Sequence, residues 1–188
     1  MARKPASILH VIVVTAIALV PADALCTDTA RRLDSGWSVF TTFVQDGIGH
    51  ILSGLDHALF IIALMLAVYG WKRLAAVITS FTVAHSITLA LCAFNLVSVS
   101  PRLVEPLIAL TIILVAAECA LREKPEARVA VTFGFGLIHG LGFGSVLQRD
   151  LSLYKTDLVA PLLGFNVGVE IGQLLVVLSI SPEHLLTD

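Results

Sequence analysis

Residues 47–69 read GIGHILSGLDHALFIIALMLAVY, a run in which Asp56 is the only acidic residue and neither Lys nor Arg occurs. As one helix, a segment of this length would cross the hydrocarbon core of a bilayer, which is about 30 Å thick. Backbone groups in lipid must be paired within the protein, and long runs without alternation predict helices rather than barrel strands. The sequence therefore predicts an all-α, polytopic transmembrane helical bundle with five spans, near 47–69, 74–96, 102–121, 128–148 and 158–180.

The composition of the 188 residues agrees with this class. Hydrophobic residues make up 57% of the chain, charged residues 14%, and the mean hydropathy is +0.92, which excludes a soluble globular domain, a disordered chain and a coiled coil. The net charge is −2 and no run of Lys and Arg exceeds two residues, so no nucleic-acid partner is expected. Three scattered cysteines do not form a disulfide framework.

The first 24 residues have the parts of a secretory signal peptide. Arg3 and Lys4 precede an apolar run at Ile8–Val20, and a small-residue cleavage site ends at Ala24. The apolar run is short for a span of about 30 Å at 1.5 Å per residue. We expect cleavage after Ala24; a retained segment would be a sixth span.

The rest of the chain divides into three parts. Residues 25–46 are expected to form an external lead-in, 47–180 the five-helix transmembrane domain, and 181–188 a short C-terminal tail. With the lead-in outside, seven Lys and Arg residues lie on the cytoplasmic side and five outside, a bias in the usual direction. We therefore expect an integral protein of a bacterial inner (plasma) membrane with a cytoplasmic C-terminus.

Ionisable side chains inside membrane helices are costly and indicate function by default. Four of the predicted spans carry such groups near their midpoints, so these groups would lie at one depth in the bundle. Bundle cores hold metal sites built from facing helices, and imidazole and carboxylate ligands suit nickel, cobalt and zinc. The sequence predicts a divalent-cation site that contains Asp56, His57, His85, His139 and Glu170.

Other polar residues extend this predicted site. His50 lies seven residues before His57, which on one continuous helix would place both on one face about 10 Å apart. We count His50 among the metal ligands. His50 and Glu105 lie nearer the predicted outer surface, where incoming ions would first bind. Asn166 and Gln173 share a face with the carboxylate of the fifth span and would support the ligands.

Two glycine stripes with four-residue spacing lie in the fourth and fifth spans. Small residues at this spacing let helix backbones approach closely in lipid. We expect these two spans to pack against each other along the stripes, which are Gly136, Gly140 and Gly144, and Gly164, Gly168 and Gly172.

Residues 50–57, HILSGLDH, resemble the H-P-x-x-G-x-D-H signature of HupE/UreJ proteins, with Ile51 in place of the proline. The wider pattern is similar to the second branch of this family over about residues 43–180. Its motifs follow in order along the five spans: GLDHALF (54–60), FTVAHSITLAL (81–91), VEPLIALTI (104–112), GLIHGLGF (136–143) and FNVGVEIGQ (165–173).

The resemblance implies a small polytopic membrane protein, often made with a signal peptide, that helps to supply nickel or cobalt to metalloenzymes such as hydrogenase and urease. It also implies that His50, Asp56 and His57 contact the metal.

Three functions follow from these observations. The first is a permease for nickel, cobalt or zinc, in which the ion is the transported substrate, no cofactor is permanently bound and no residue is catalytic. The second is a structural or assembly membrane subunit whose polar residues hold the bundle together. The third is a membrane-embedded, metal-dependent hydrolase. The expected partners are membrane lipids and the metal ion, and the bundle is compatible with a homo-oligomer.

Overall fold

The structure, a computed structural model, describes residues 36–121, 128–151 and 158–180. The regular elements in these ranges are all α-helices, which confirms the predicted all-α class. The predicted signal peptide (1–24) and C-terminal tail (181–188) lie outside the described residues. In chain order the helices are α1 (Gly36–Ser53), α2 (Leu55–Ala67), α3 (Trp71–Ala93), α4 (Pro101–Ala120), α5 (Arg128–Leu151) and α6 (Val159–Ile180).

The prediction of one continuous helix over the first span, 47–69, is wrong. Helix α1 begins at Gly36, inside the expected lead-in 25–46, and ends at Ser53. Helix α2 follows after a break at Gly54, with a bend of 71° between the two axes. Gly54 has φ −79° and ψ 103°, an extended conformation, so the backbone leaves the helical path at this residue.

The four later helices lie close to the predicted spans at 74–96, 102–121, 128–148 and 158–180. Pro101 occupies the start of α4, where its fixed φ suits a helix and its missing N–H removes no internal bond. Pro106 lies early in the same helix, and α4 continues through it to Ala120.

Three of the described helices, α3, α4 and α6, are each long and apolar enough to cross a membrane. Helices α1 and α2 meet the same standard together, as one broken span or a re-entrant segment. Helix α5 is less apolar, and most of its described side chains are buried or half-buried. A helix that is largely enclosed by its neighbours presents little surface to lipid, so it can carry more polar residues and glycines. The five-span count remains a prediction.

One glycine stripe brings α5 against α3. A Cβ at Gly136 would meet the carbonyl oxygen of Phe81, and one at Gly140 would lie 2.6 Å from the carbonyl oxygen of His85. Ordinary contacts of a Cβ are 3.4–4 Å, so the two backbones touch at these positions. This close approach holds the histidine-bearing faces of α3 and α5 together.

The other glycine stripe brings α6 against α1. A Cβ at Gly164 would meet the carbonyl oxygen of Phe40, and a Cβ at Gly168 would meet that of Val44. The expectation that the fourth and fifth spans pack against each other along their stripes is therefore wrong, because each stripe contacts a different helix. A small-residue stripe predicts close approach but does not specify the partner. We call α1–α6 and α3–α5 the glycine-packed pairs.

Candidate metal centre

The break at Gly54 places three candidate ligands together. The Gly54 amide donates to the carbonyl oxygen of His50 (3.0 Å) and closes the last turn of α1. A Cβ at this position would lie 2.8 Å from that oxygen, 2.9 Å from Asp56 Oδ1 and 3.0 Å from His57 Nδ1. Because Gly54 has no side chain, the backbone can bend at this residue. The side chains before and after the break can then approach each other.

The helix ends at the break also favour an ion. Asp56 lies in the first turn of α2, where the helix dipole stabilises negative charge, and His50 lies in the last turn of α1, where the dipole favours a cation. Broken membrane helices build ion sites from such ends. The break occurs although Ile51 stands where the HupE/UreJ signature has proline.

Four imidazoles from four helices surround one point in the bundle. The ring centroid of His57 lies 4.5 Å from that of His50, 5.5 Å from His139 and 6.1 Å from His85. His50 and His85 are also 6.1 Å apart. The sequence-based separation of about 10 Å between His50 and His57 is wrong, because the bend turns the two rings toward each other. We call these four residues the histidine cluster.

Most ring nitrogens of the histidine cluster have no hydrogen-bond partner among the described residues. Five of them are buried and make no hydrogen bond with any described residue. Buried polar atoms are almost always paired, and each exception needs an explanation. The five atoms are His50 Nε2, His57 Nε2, both nitrogens of His85, and His139 Nδ1.

Two of the histidines are oriented by a hydrogen bond through the other ring nitrogen. His57 Nδ1 lies 3.2 Å from Asp56 Oδ1 and donates to it, since an ionised carboxylate only accepts. His139 Nε2 lies 2.8 Å from Thr111 Oγ1 on α4. In metal sites, such a bond fixes the ring and leaves the second nitrogen to bind the ion.

The spacing of the donors suits a divalent cation. Asp56, His57 and His139 each offer one donor atom, and these three atoms lie within 4.8 Å of one another. At metal–nitrogen distances of about 2.1 Å, the centroids of two imidazoles on one ion lie roughly 4.5–6.5 Å apart. The centroid separations of the histidine cluster, 4.5–6.1 Å, fall in this range.

Phenylalanine rings enclose the histidine cluster. The ring centroids of Phe60 and Phe81 each lie 5.1 Å from that of His139 and 5.0 Å from each other. On the other side, Phe143 lies 4.2 Å from His50 and stacks on Phe165 at 4.9 Å. The rings restrict water around the donors, and electrostatic interactions are stronger in such a medium.

The cluster has a buried part and an accessible edge. His57, His85 and His139 are buried, with exposed fractions of 4%, 0% and 1%. Asp56 keeps 38% of its side chain exposed, and His50 is half-buried although its Nε2 is covered. Asp56 and His50 therefore form the less buried edge of the cluster.

Three residues predicted on the fifth span contact α3 instead of the cluster. Thr79 donates to Glu170 (3.3 Å), Thr82 to Gln173 (2.8 Å) and Ser86 to Asn166 (2.6 Å). Within the described ranges, no hydrogen bond or ion pair joins Glu170 to a histidine. The prediction grouped Glu170 with the histidines because all lie near the midpoints of their predicted spans. A position along a helix does not determine the direction in which the side chain leaves the helix axis. We therefore omit Glu170 from the ligand set.

Glu105 is exposed on α4 and has no hydrogen bond or ion pair with a described residue. His50, expected with Glu105 at an outer position, lies inside the histidine cluster, because the bend at Gly54 carries it there. His50 thus has a place in the cluster, and the structure gives Glu105 no hydrogen bond or ion pair with it.

Sequence reasoning missed several residues of the site. Thr111 falls in the motif VEPLIALTI (104–112) but received no role, although it is a polar residue in the middle of an apolar helix. The phenylalanines around the cluster appeared only as motif letters. The significance of Gly54 was also hidden, because a hydropathy pattern does not show where a helix breaks.

Comparison with known protein families gives a match to the family described as HupE / UreJ protein over residues 26–186. No curated protein and no solved structure matches the chain. The match covers nearly the whole sequence and agrees with the motifs at 50–57 and beyond. The chain belongs to the HupE/UreJ family.

Proposed function

We propose that this HupE/UreJ protein is a permease for a divalent transition-metal cation of the nickel/cobalt type, with the ion as its transported substrate. The observation that carries the proposal is the convergence of four imidazoles, five of whose ring nitrogens are buried without a hydrogen bond to a described residue. Helix packing alone gives no reason to bury five such atoms, since each loses its bonds to water. A cation that accepts one lone pair from each ring supplies a partner for four of these atoms, since the second nitrogen of a neutral His85 carries the hydrogen.

The candidate ligands suit the transport of a divalent cation that is neither very hard nor very soft. Imidazole nitrogens and one carboxylate suit nickel, cobalt and zinc, and geometry and availability select among them. Among the described residues, Asp56 provides the negative charge next to the cluster, at its accessible edge. An ion would first meet Asp56 and His50 and then the buried His57, His85 and His139.

Proton exchange gives a route to release. Histidine binds a metal only as neutral imidazole, so protonation and metal binding exclude each other at each nitrogen. Arrival of protons at the cluster would weaken the site and release the ion toward the other side.

We place the protein in a bacterial inner membrane, with the lead-in outside and the C-terminus in the cytoplasm. The apolar helices support a membrane location, and the bias of Lys and Arg supports this orientation. Lipids and the metal ion are its proposed partners, and the bundle can associate with further copies of itself.

Metal accumulation tests the proposal. Cells that express the wild type, His57→Ala or Ser53→Ala at equal membrane levels are exposed to Ni²⁺ or Co²⁺, and the metal in washed cells is measured. Ser53 is the matched control, since it is close to the break in sequence and its hydroxyl bonds only the carbonyl of Gly49 (2.7 Å). We expect accumulation with the wild type and Ser53→Ala but not with His57→Ala. Equal accumulation in all three would refute the proposal.

The purified protein distinguishes the two alternatives. A structural subunit would bind no metal. Its polar residues would join helices by hydrogen bonds, as Asn166, Glu170 and Gln173 of α6 do with α3. Those hydrogen bonds account for the polar side chains of three candidate residues, but none of them involves a residue of the histidine cluster. A hydrolase would retain one tightly held ion, whereas a permease exchanges bound radioactive Ni²⁺ with added unlabelled Ni²⁺.

A further inference from the structure

We propose that Thr111 is a positioning residue that fixes the tautomer of His139, so that the Nδ1 lone pair of His139 faces the histidine cluster. The inference rests on the proposed function for its purpose, since a fixed lone pair matters only if the cluster binds an ion. Thr111 is on α4, a helix that contributes no histidine or carboxylate to the cluster.

The argument begins with the single proton of the Thr111 hydroxyl. Thr111 Oγ1 lies 2.7 Å from the carbonyl oxygen of Ile108 and 2.8 Å from His139 Nε2. The carbonyl oxygen can only accept, so the hydroxyl proton is directed to Ile108. Thr111 then has only lone pairs to offer His139, and Nε2 must carry the hydrogen.

The opposite tautomer has a double disadvantage. With the hydrogen on Nδ1, the Thr111 proton would turn to Nε2, and the carbonyl of Ile108 would lose this donor. The Nδ1–H of His139 would then be buried with no acceptor among the described residues. A buried donor without a partner loses its hydration and gains nothing in return.

The surroundings keep the ring in this orientation. Thr111 is 2% exposed and His139 1%, so bulk water does not compete for the bond between them. The rings of Phe60 and Phe81, both 5.1 Å from the His139 centroid, limit its rotation.

The two oriented histidines therefore present different nitrogens to the cluster. Asp56 holds the hydrogen of His57 on Nδ1 and leaves Nε2 free, whereas Thr111 holds the hydrogen of His139 on Nε2 and leaves Nδ1 free. The partner of His139 is neutral, so α4 orients a ligand without adding negative charge. Position 111 thus requires a hydroxyl and not merely a small side chain.

The test uses the full-length protein in lipid nanodiscs, with ¹⁵N-labelled histidine and no added metal. At alkaline pH the ring ¹⁵N shifts distinguish Nε2–H from Nδ1–H, and His139→Gln identifies the His139 signals. The variants are Thr111→Val, Thr111→Ser and Thr82→Val. Thr82→Val is the matched control, because it also removes one buried interhelical hydrogen bond, to Gln173, without a bond to a histidine.

We expect Nε2–H for His139 in the wild type, Thr111→Ser and Thr82→Val, and loss of this preference in Thr111→Val. In Ni²⁺ titrations of the same preparations, Thr111→Val should bind about 10–100-fold more weakly, as for other residues that orient metal ligands. The affinity should be retained in Thr111→Ser and Thr82→Val.

Nδ1–H for His139 in the wild type would overturn the inference, whatever the metal affinity. An unchanged tautomer and unchanged affinity in Thr111→Val would also overturn it. If the wild type shows Nε2–H but binds no Ni²⁺, Co²⁺ or Zn²⁺, the tautomer assignment is supported and the proposed function fails. The two failures are thus distinguishable.

Discussion

Substitution of Gly140 by alanine should separate α3 from α5 at the histidine cluster. The new Cβ would lie 2.6 Å from the carbonyl oxygen of His85 and would also meet Thr88 Oγ1. To restore an ordinary contact of 3.4 Å, the α3 backbone must move by 3.4 − 2.6 = 0.8 Å. Overpacking of this kind costs about 1–3 kcal/mol, against which alanine recovers up to about 1 kcal/mol of helix propensity.

Gly140→Ala should also weaken metal binding. Ligands must be held to within about 0.5 Å of their productive positions, and the expected shift of His85 is larger than this tolerance. We expect the Ni²⁺ affinity of Gly140→Ala to fall by roughly tenfold or more, which corresponds to about 1.4 kcal/mol.

Calorimetric Ni²⁺ titration of the reconstituted protein measures this affinity, and denaturation in detergent mixtures measures stability. Gly134→Ala is the matched control on the same helix, because a Cβ at Gly134 meets nothing within 4 Å. We expect this control to bind Ni²⁺ as the wild type does. Wild-type affinity in Gly140→Ala would refute the packing argument, and equal losses in both variants would show that the effect is not specific to Gly140.

Three further predictions follow from the site. Gly54→Ala should abolish Ni²⁺ binding in equilibrium dialysis, because its Cβ would lie 2.9 Å from Asp56 Oδ1 and 3.0 Å from His57 Nδ1, whereas Gly36→Ala, with open space around its Cβ, should bind normally; normal binding by Gly54→Ala would contradict the role of the break. Glu170→Gln should retain the Ni²⁺ affinity of the wild type, since its carboxyl accepts a hydrogen bond outside the cluster; a loss as large as that of a histidine variant would return Glu170 to the ligand set. Ni²⁺ affinity should fall as the pH is lowered, by about tenfold per pH unit for each imidazole that must lose a proton to bind; binding that strengthens on acidification in a pH series would contradict imidazole ligation.

The helices after residue 70 were predictable because length and hydropathy decide which segments are helical in lipid. The histidines were predictable for a related reason, since an imidazole in the middle of an apolar helix needs a partner. His57, His85 and His139 lie near the midpoints of their predicted spans, and the structure places them beside one another.

The features that the sequence did not predict depend on the direction of a helix or side chain, rather than on the position of a residue along its span. The break at Gly54 brings the ring centroids of His50 and His57 to 4.5 Å from each other, whereas one continuous helix would keep them about 10 Å apart. An average of hydropathy over the segment does not detect this break. Glu170 was expected in the site because it lies near the midpoint of its predicted span, but its side chain accepts a hydrogen bond from Thr79. The role of Thr111 depends on a contact between α4 and α5, which no spacing within one helix shows.

The two glycine-packed pairs divide the ligands between them. His50 belongs to the α1–α6 pair, whereas His85 and His139 belong to the α3–α5 pair, and His57 is carried by the short helix α2. Backbones in direct contact resist sliding within each pair, whereas side-chain hydrogen bonds from α3 to α6 join the two pairs across their boundary. A small rocking of one pair over the other would lengthen the His50–His85 separation while leaving His85 and His139 in register. The proposed coordination shell thus draws its ligands from both pairs, so a modest rotation at their boundary would add or remove a ligand.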